Sequence, residues 1–210
     1  PGVHTAVGNI LLETLEGGST MNRIVVVPGA NMALTKEDVR FLEDSIDQYD
    51  MALLQLEIPM EINRLVAGYA HRRGVPVMLN PAPYAPLDNG LLEMLTYLSP
   101  NEHEFAALTG LFSPEPRKMT EAAESLRKKG VKNVLITLGE RGALLLPSGG
   151  DPVRVEAVDI GKAVDPTAAG DSFIGAFCTA AAAGMDHGDA LAFASCAAAL
   201  TVSRAGAQPS

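Results

Sequence analysis

Short apolar runs alternate with longer amphipathic segments through the middle of this chain, and the alternation restricts the folds open to it. Apolar runs at residues 52–56 and 75–79 enclose a helical pattern at 59–73, which Gly74 ends. The same arrangement continues as far as the run at 133–137. Parallel neighbouring strands require such crossover helices, and the helices cover both faces of the sheet. The sequence therefore predicts an α/β fold.

The two ends of the chain differ from its middle. Residues 5–12 and 23–27 are β-prone on either side of the turn signal Glu16-Gly17-Gly18-Ser19, so a β-hairpin is expected there. A helix is expected to open at Thr35, with Asp38 at the spacing of a capping box. At the other end, two short strand patterns precede two Ala-rich helical segments, at 143–146, 153–158, about 169–183 and about 189–203.

Composition and charge narrow the range of partners. The formal net charge of −9 argues against nucleic acid or an anionic membrane surface, because both reward clustered Lys and Arg. No apolar run approaches the roughly 20 residues that a membrane span needs. A phosphate-bearing ligand would then be held by backbone amides, helix ends and metal ions. Cys178 and Cys196 stand apart in Ala-rich stretches and are interpreted as buried small side chains in a reducing, cytoplasmic compartment.

One segment carries a chemical signal, and it runs from Val164 to Phe173 as Val-Asp-Pro-Thr-Ala-Ala-Gly-Asp-Ser-Phe. A helix beginning near Ala168 would present free backbone N–H groups, and small side chains would let an anion approach them. Asp171 falls in the same first turn, where it can orient an attacking hydroxyl or accept its proton. This pairing suits phosphoryl transfer. Taken alone, Asp171 is equally interpreted as a first-turn acid that stabilises the helix.

This segment resembles the second signature of the ribokinase family of carbohydrate and purine kinases, and other blocks resemble that family in the same order. The resemblance extends over nearly the whole chain. The further blocks are Pro28-Gly29-Ala30-Asn31, Leu54-Gln55-Leu56-Glu57, Leu79-Asn80-Pro81-Ala82-Pro83, Ser99-Pro100-Asn101-Glu102-His103-Glu104, Val134-Leu135-Ile136-Thr137-Leu138-Gly139-Glu140-Arg141-Gly142 and Ser203-Arg204-Ala205-Gly206-Ala207-Gln208-Pro209-Ser210.

The resemblance implies a three-layer α/β/α ribokinase-like fold with a mostly parallel sheet. Residues 1–27 would form part of a small β lid and a first strand, and residues 28–210 the nucleotide-binding kinase domain. The family's opening strands and its Gly-rich sugar-binding motif have no counterpart here. We therefore expect the chain to be the carboxyl-terminal two-thirds of a longer protein, with an unpaired sheet edge and exposed apolar surface. The parent protein is expected to be a homodimer through the lid.

The implied activity is ATP-dependent phosphorylation of the 5-hydroxyl of D-ribose, giving ribose 5-phosphate and ADP, with Mg²⁺ and an activating K⁺. Asp171 would be the catalytic base and contact the sugar together with Glu57, and the amides of Ala168, Ala169 and Gly170 would form the anion hole. The nucleotide-binding residues would be Asn101, Thr137, Leu138, Gly139, Glu140, Arg141, Gly142, Gly170 and Ser195. Glu104 would act on Mg²⁺ through water, and the K⁺ site would comprise Asp165, Thr167, Thr201, Arg204, Gly206 and Ser210.

Several of these assignments have structural alternatives. Asn101 and Glu104 would also serve as a helix cap followed by a solvated Glu, and Glu57 would also fit a strand end facing water. Pro166 replaces the Thr usual in the signature, and Ser195 stands where the family often has a His near the adenine. None of the four scattered histidines is assigned a catalytic role. At the level of function, the alternatives are a fructokinase or nucleoside kinase of the same family, or a nucleotide-binding fragment without turnover.

Overall fold

A computed structural model describes residues 2–14, 20–113, 115–161 and 163–208. Within these residues, eight strands form a separate two-stranded hairpin and a six-stranded sheet. The strands are β1 (Val7–Thr14), β2 (Thr20–Val27), β3 (Ala52–Gln55), β4 (Val77–Asn80), β5 (Tyr97–Leu98), β6 (Asn133–Thr137), β7 (Ala143–Leu146) and β8 (Val153–Val155). The sheet keeps chain order from β3 to β8. Its first four strands are parallel, and β7 and β8 are added antiparallel.

Helices cover both faces of the sheet, as the predicted three-layer α/β/α architecture requires. They are α1 (Lys36–Val39), α2 (Leu42–Ser45), α3 (Met60–Arg73), α4 (Asn89–Leu92), α5 (Glu102–Thr109), α6 (Pro116–Arg127), α7 (Ala169–Ala182) and α8 (His187–Val202). Successive strand residues point to opposite faces. Leu79, Leu98 and Ile136 therefore pack with α3, α5 and α6, whereas their neighbours Met78, Tyr97 and Leu135 pack with α7 and α8. The predicted fold class is confirmed.

The carboxyl ends of β3 to β6 lie at one edge of the sheet, because these strands are parallel. The helix α7 runs from this edge to the opposite one, where the ring of Phe177 meets that of Tyr97 at the start of β5, with centroids 5.3 Å apart. His187, at the start of α8, lies 3.2 Å from the Tyr97 hydroxyl. The helix α8 therefore returns to the carboxyl edge and brings the last described residues beside the start of α7.

Several local predictions need correction. Cys196, interpreted from the sequence as buried, is exposed on α8, whereas Cys178 is buried as expected. The helix opening at Thr35 has its predicted capping box with Asp38, but it breaks into the single turns α1 and α2. Only Val39 is buried in these turns, so little packing supports a longer helix. The strand expected at 153–158 stops at Val155, because its partner β7 begins at Ala143 and leaves nothing beyond it to pair with.

The hairpin is confirmed as an antiparallel pair, and its predicted turn at 16–19 lies outside the described residues. Residues 23–27, expected also to supply a first strand, belong to β2 and pair with β1 rather than with the central sheet. None of the helices in the described ranges has both the length and the apolarity that crossing a bilayer demands.

Candidate active site

The start of α7 has the geometry of an anion-binding site. Ala168 precedes the helix with φ of 63°, and it is the one non-glycine residue with positive φ in the described part of the chain. The first helical bond runs from the Ser172 N–H to the Ala168 carbonyl (2.9 Å), and the Ala169 N–H reaches the Pro166 carbonyl only at 3.3 Å. The amides of Gly170 and Asp171 have no acceptor among the described residues. A Cβ at Gly170 would meet no atom within 4 Å, so the space beside this residue is open.

Asp171 lies in this first turn with its side chain exposed. No hydrogen bond or ion pair joins it to another residue in the described ranges. Its carboxylate is thus available to a ligand at the same helix end that offers the free amides.

Asp165 joins the segment before α7 to the segment after α8. Its Oδ1 accepts the Thr167 N–H and its Oδ2 the Gly206 N–H, both at 2.9 Å. The pKa of the Asp165 carboxyl lies below its usual value. The largest cause is hydrogen bonding by the Thr167 side chain, followed by the two backbone bonds from Gly206 and Thr167. The N–H groups of Val164 and Asp165 also donate to the Val202 carbonyl, at 2.8 and 3.2 Å. The proposed K⁺ ligands therefore do come together, except Ser210, which lies outside the described residues.

A second link between α7 and α8 had no signal in the sequence. The Thr201 hydroxyl donates to the Ser172 Oγ at 2.7 Å. The Thr201 carbonyl separately accepts the Arg204 N–H at 3.1 Å. The sequence prediction placed Thr201 at this end of the chain but assigned nothing to its side chain, because pairing of hydroxyls on two helices depends on how the helices pack.

Asn101 and Glu104 form a closed capping box at the start of α5. The Asn101 Oδ1 accepts the Glu104 N–H at 2.9 Å, and the Glu104 carboxylate accepts the Asn101 N–H at 2.8 Å and its side-chain amide at 2.9 Å. Glu104 is only 8% exposed, and burial raises the pKa of its carboxyl. The helix-cap interpretation is therefore right, whereas the accompanying idea of a solvated Glu is wrong.

The turn after β6 lies beside this box. An isolated parallel bridge joins Asn101 to Thr137, and the Thr137 N–H donates to the Pro100 carbonyl at 3.1 Å. Leu138 is buried, and Gly139, Glu140 and Arg141 form a 3₁₀ turn closed by Gly142.

Glycine is required at the end of this turn. Gly142 has φ of 80°, and a Cβ on it would lie 1.9 Å from the Val155 carbonyl oxygen. The backbone of the turn therefore packs closely against β8, with no room for a side chain at Gly142. Arg141 forms an ion pair with Glu102 of α5, a link that sequence reasoning missed. The turn and the capping box are thus connected by both backbone and side chains.

The two remaining site predictions occupy different surroundings. Glu57 is exposed just beyond β3, at the carboxyl edge of the sheet, as expected. Ser195 is 5% exposed in the middle of α8, so it does not line an open surface. The arrangement as a whole places a carboxylate, free amides, a glycine-bearing turn and an Asn-Glu box along one edge of the sheet, where open α/β folds bind ligands.

Comparison with known proteins agrees with this geometry. Residues 5–210 match the model of the pfkB family carbohydrate kinases. The chain is 41% identical over 209 residues to a ribokinase of Schizosaccharomyces pombe, covering 98% of this chain and 64% of that protein. It is 38% identical over 192 residues to a ribokinase of Haemophilus influenzae, covering 91% of this chain and 62% of that protein.

Solved structures give the same result. The ribokinase of Arabidopsis thaliana complexed with ribose and ATP matches with a TM-score of 0.83 at 35% identity, over 96% of this chain and 65% of that one. A ribokinase of Thermotoga maritima matches with a TM-score of 0.80 at 38% identity, over 96% and 65%. The chain thus spans somewhat less than two thirds of the length of these relatives. It belongs to the pfkB family of carbohydrate kinases.

Proposed function

We propose that the protein containing this chain is an ATP-dependent sugar kinase that phosphorylates the 5-hydroxyl of D-ribose, giving ribose 5-phosphate and ADP. The observation that carries the proposal is the start of α7. Among the described residues, the amides of Gly170 and Asp171 have no acceptor there and the Asp171 carboxylate beside them has no partner. The Arabidopsis relative, whose structure contains ribose and ATP, supports the choice of sugar and nucleotide.

In this proposal the chemistry is divided between the carboxylate and the amides. Asp171 accepts the proton of the attacking hydroxyl and contacts the sugar. The amides of Ala168, Ala169 and Gly170 would hold the transferring phosphoryl group. Of these, the Gly170 N–H has no acceptor among the described residues, whereas the Ala169 N–H would have to give up its 3.3 Å bond to the Pro166 carbonyl. The left-handed Ala168 supports this role, because its conformation directs the chain sharply into the helix. Glu57, exposed at the same edge of the sheet, is the second sugar contact.

The nucleotide would lie along the turn from Thr137 to Gly142, next to Asn101. Mg²⁺ prefers one or two carboxylates together with substrate phosphates. The described residues contain no group of three or more His, Cys, Asp or Glu able to hold a metal ion, and a Mg²⁺ shared with ATP phosphates needs no such group. Glu104, engaged by Asn101, would act on this ion through water, and Mg²⁺ would neutralise charge on the phosphates.

The monovalent site proposed around Asp165 has a donor set suited to K⁺. In this proposal the Asp165 carboxylate and main-chain oxygens of residues 165–167 and 201–206 would bind the ion. The hydrogen bonds from the Thr167 and Gly206 N–H groups to Asp165 support it, because they bring the two segments together. Both Asp165 oxygens already accept N–H groups, so carbonyl oxygens would provide most of the ligands. The ion would stabilise the backbone that forms the anion hole.

A cytoplasmic homodimer joined through the lid remains part of this proposal. The hairpin supports it, because apolar side chains are exposed along both of its strands: Val7, Leu11, Val25, Val26 and Val27. A partner that covered this surface would remove apolar side chains from water, which is favourable.

Substrate profiling tests the proposal. The product of the complete reading frame should be assayed with Mg²⁺-ATP and ribose, deoxyribose, fructose or adenosine, with NMR identification of the product. We expect the highest kcat/KM with ribose and phosphate on its 5-hydroxyl. A preference for fructose or adenosine would support the alternative kinases. Nucleotide binding without any phosphorylated product would support the non-catalytic interpretation.

A further inference from the structure

Two hydroxyl groups lie directly behind the proposed catalytic turn. Thr201, on the last turn of α8, is 5% exposed, and its hydroxyl lies 2.7 Å from the Ser172 Oγ on the first turn of α7. The two residues are 29 positions apart in the chain. The bond is partly buried, and a hydrogen bond between hydroxyls is stronger away from water than in it.

Ser172 is the residue through which this contact reaches the site. Its backbone N–H donates to the Ala168 carbonyl and so forms the first bond of α7, while its side chain is held by Thr201. Asp171 and Gly170 lie between these two anchored residues. Apart from the backbone hydrogen bonds of α7 itself, no contact among the described residues holds either one, since Asp171 is exposed without a side-chain partner and a Cβ on Gly170 would meet no atom within 4 Å. Their placement therefore depends on the first turn of α7, which Ser172 and Ala168 help to hold.

We propose that Thr201 is a positioning residue for phosphoryl transfer. Through its bond to the Ser172 hydroxyl, it holds the first turn of α7, and with it Asp171 and the free amides, in the position that the reaction requires. This inference rests on the proposed kinase function. It concerns the side chain alone, because the atom of Thr201 assigned to the cation is its carbonyl oxygen, which also accepts the Arg204 N–H. A change of side chain separates the two roles.

The test compares Thr201→Val, which keeps the shape and removes the hydroxyl, with Thr201→Ser, which keeps the hydroxyl. Thr179→Val is the matched control, because Thr179 lies exposed on α7 and, among the described residues, its hydroxyl donates only to the Gly175 carbonyl of its own helix. In the complete gene product, Thr201→Val should lower kcat about 10-fold, since small misplacements of reacting groups are costly, with KM for ATP and sugar changed less than about twofold. Thr201→Ser should recover most of the lost rate.

A binding measurement distinguishes this inference from the proposed function. Titration with ADP plus aluminium fluoride, a mimic of the transferring phosphoryl group, should show affinity for Thr201→Val reduced by about the same factor as kcat, while affinity for ADP alone is unchanged. If the wild type phosphorylates no sugar, the proposed function fails, and this titration still decides on Thr201.

Two results would overturn the inference. One is a kcat and an aluminium fluoride affinity within twofold of wild type in Thr201→Val. The other is an equal loss in Thr179→Val, or a loss in Thr201→Ser as large as in Thr201→Val, because a general loss of stability would then explain the data. Where Thr201→Val does not fold, Ser172→Ala removes the acceptor of the same bond, and the same criteria apply to it.

Discussion

Three carboxylates near the proposed site differ in how much of their binding capacity is already used. Both oxygens of Asp165 accept backbone N–H groups, and Glu104 is buried and bonded to Asn101. Asp171 alone of the three is exposed and has no partner within the described ranges. A general base must be free to meet the hydroxyl that it deprotonates. This difference supports the proposal that Asp171 is the base, whereas Asp165 and Glu104 are already engaged by neighbouring segments.

The substitution Asp171→Asn removes the base and keeps the size of the side chain. In the complete gene product we expect kcat to fall by about 10²–10⁴-fold, the range usual for loss of a general base, with affinity for ATP changed little. Steady-state rates and an ATP titration measure the two effects. Asp189→Asn is the control, because Asp189 lies in the first turn of α8, which starts at the opposite edge of the sheet. Wild-type turnover in Asp171→Asn would refute the assignment.

The sequence predicted where Asp171 lies but not whether the Glu104 carboxylate is buried. The small residues before Asp171 indicate a helix start that an anion can approach, and the structure has that start. The sequence spacing of Asn101 and Glu104 predicts a shared helix face, yet it does not tell whether the carboxylate faces water. Burial of Glu104 depends on the packing of α5 against β6, and this arises only in the folded chain.

At the scale of elements, helix ends were predicted best because their signals are local. Gly74 and Gly110 stop α3 and α5 in the left-handed conformation, which glycine adopts without steric cost. Elements that depend on a distant partner were predicted less well. The strand β8 ends where β7 begins to pair, and β2 joins the hairpin rather than the sheet. Pairing partners are a property of the fold, and a β-prone stretch does not specify them.

Asp88 illustrates a helix end whose contribution to stability should depend on pH. Its carboxylate caps α4 by accepting the Leu91 N–H at 3.0 Å, and it also accepts from Arg64 of α3. The bond from Leu91, followed by that from Arg64, lowers the pKa of the Asp88 carboxyl. Because the folded pKa lies below the unfolded one, the stabilisation is complete above the unfolded pKa. It is lost as the pH falls through the folded pKa.

We therefore expect Asp88→Ala to lower the free energy of unfolding by about 1 kcal/mol at pH 7, the usual effect of losing such a cap. The difference from wild type should shrink once the pH falls below about 4, the ordinary pKa of Asp. Urea unfolding at a series of pH values measures it. Asp151→Ala, which removes an exposed carboxylate from a turn, controls for the change in net charge. A difference that stays constant with pH would contradict the assigned cause.

At the scale of the whole molecule, the site is assembled from segments far apart in the chain because α7 and α8 form an antiparallel pair under the sheet. The return of α8 brings Val202 and Gly206 to Val164 and Asp165. In the part of the chain that the structure describes, the expected open edge strand is also present: β3 pairs with β4 alone, and Leu53, on the face shared with Met78, is 48% exposed. The sequence indicated the first feature, since the blocks at 164–173 and 203–210 belong to one family pattern. It indicated the open edge because the family's opening strands have no counterpart in it.

The contact between the segment before α7 and the segment after α8 leads to the prediction that K⁺ activates the enzyme without contacting its substrates. Asp165 already links the connection before α7 to Gly206, and an ion held by the carbonyl oxygens of both segments would reinforce the same link. Na⁺ is smaller and would be held less well by ligands that the backbone keeps apart. With saturating Mg²⁺-ATP, the complete gene product should be several-fold more active in K⁺ than in Na⁺ at equal ionic strength. In Asp165→Ala the ratio of the two rates should approach one, whatever the absolute loss. Equal rates for the wild type in both salts would remove the cation site and leave the role of Asp171 unaffected, because the base acts from the helix turn itself.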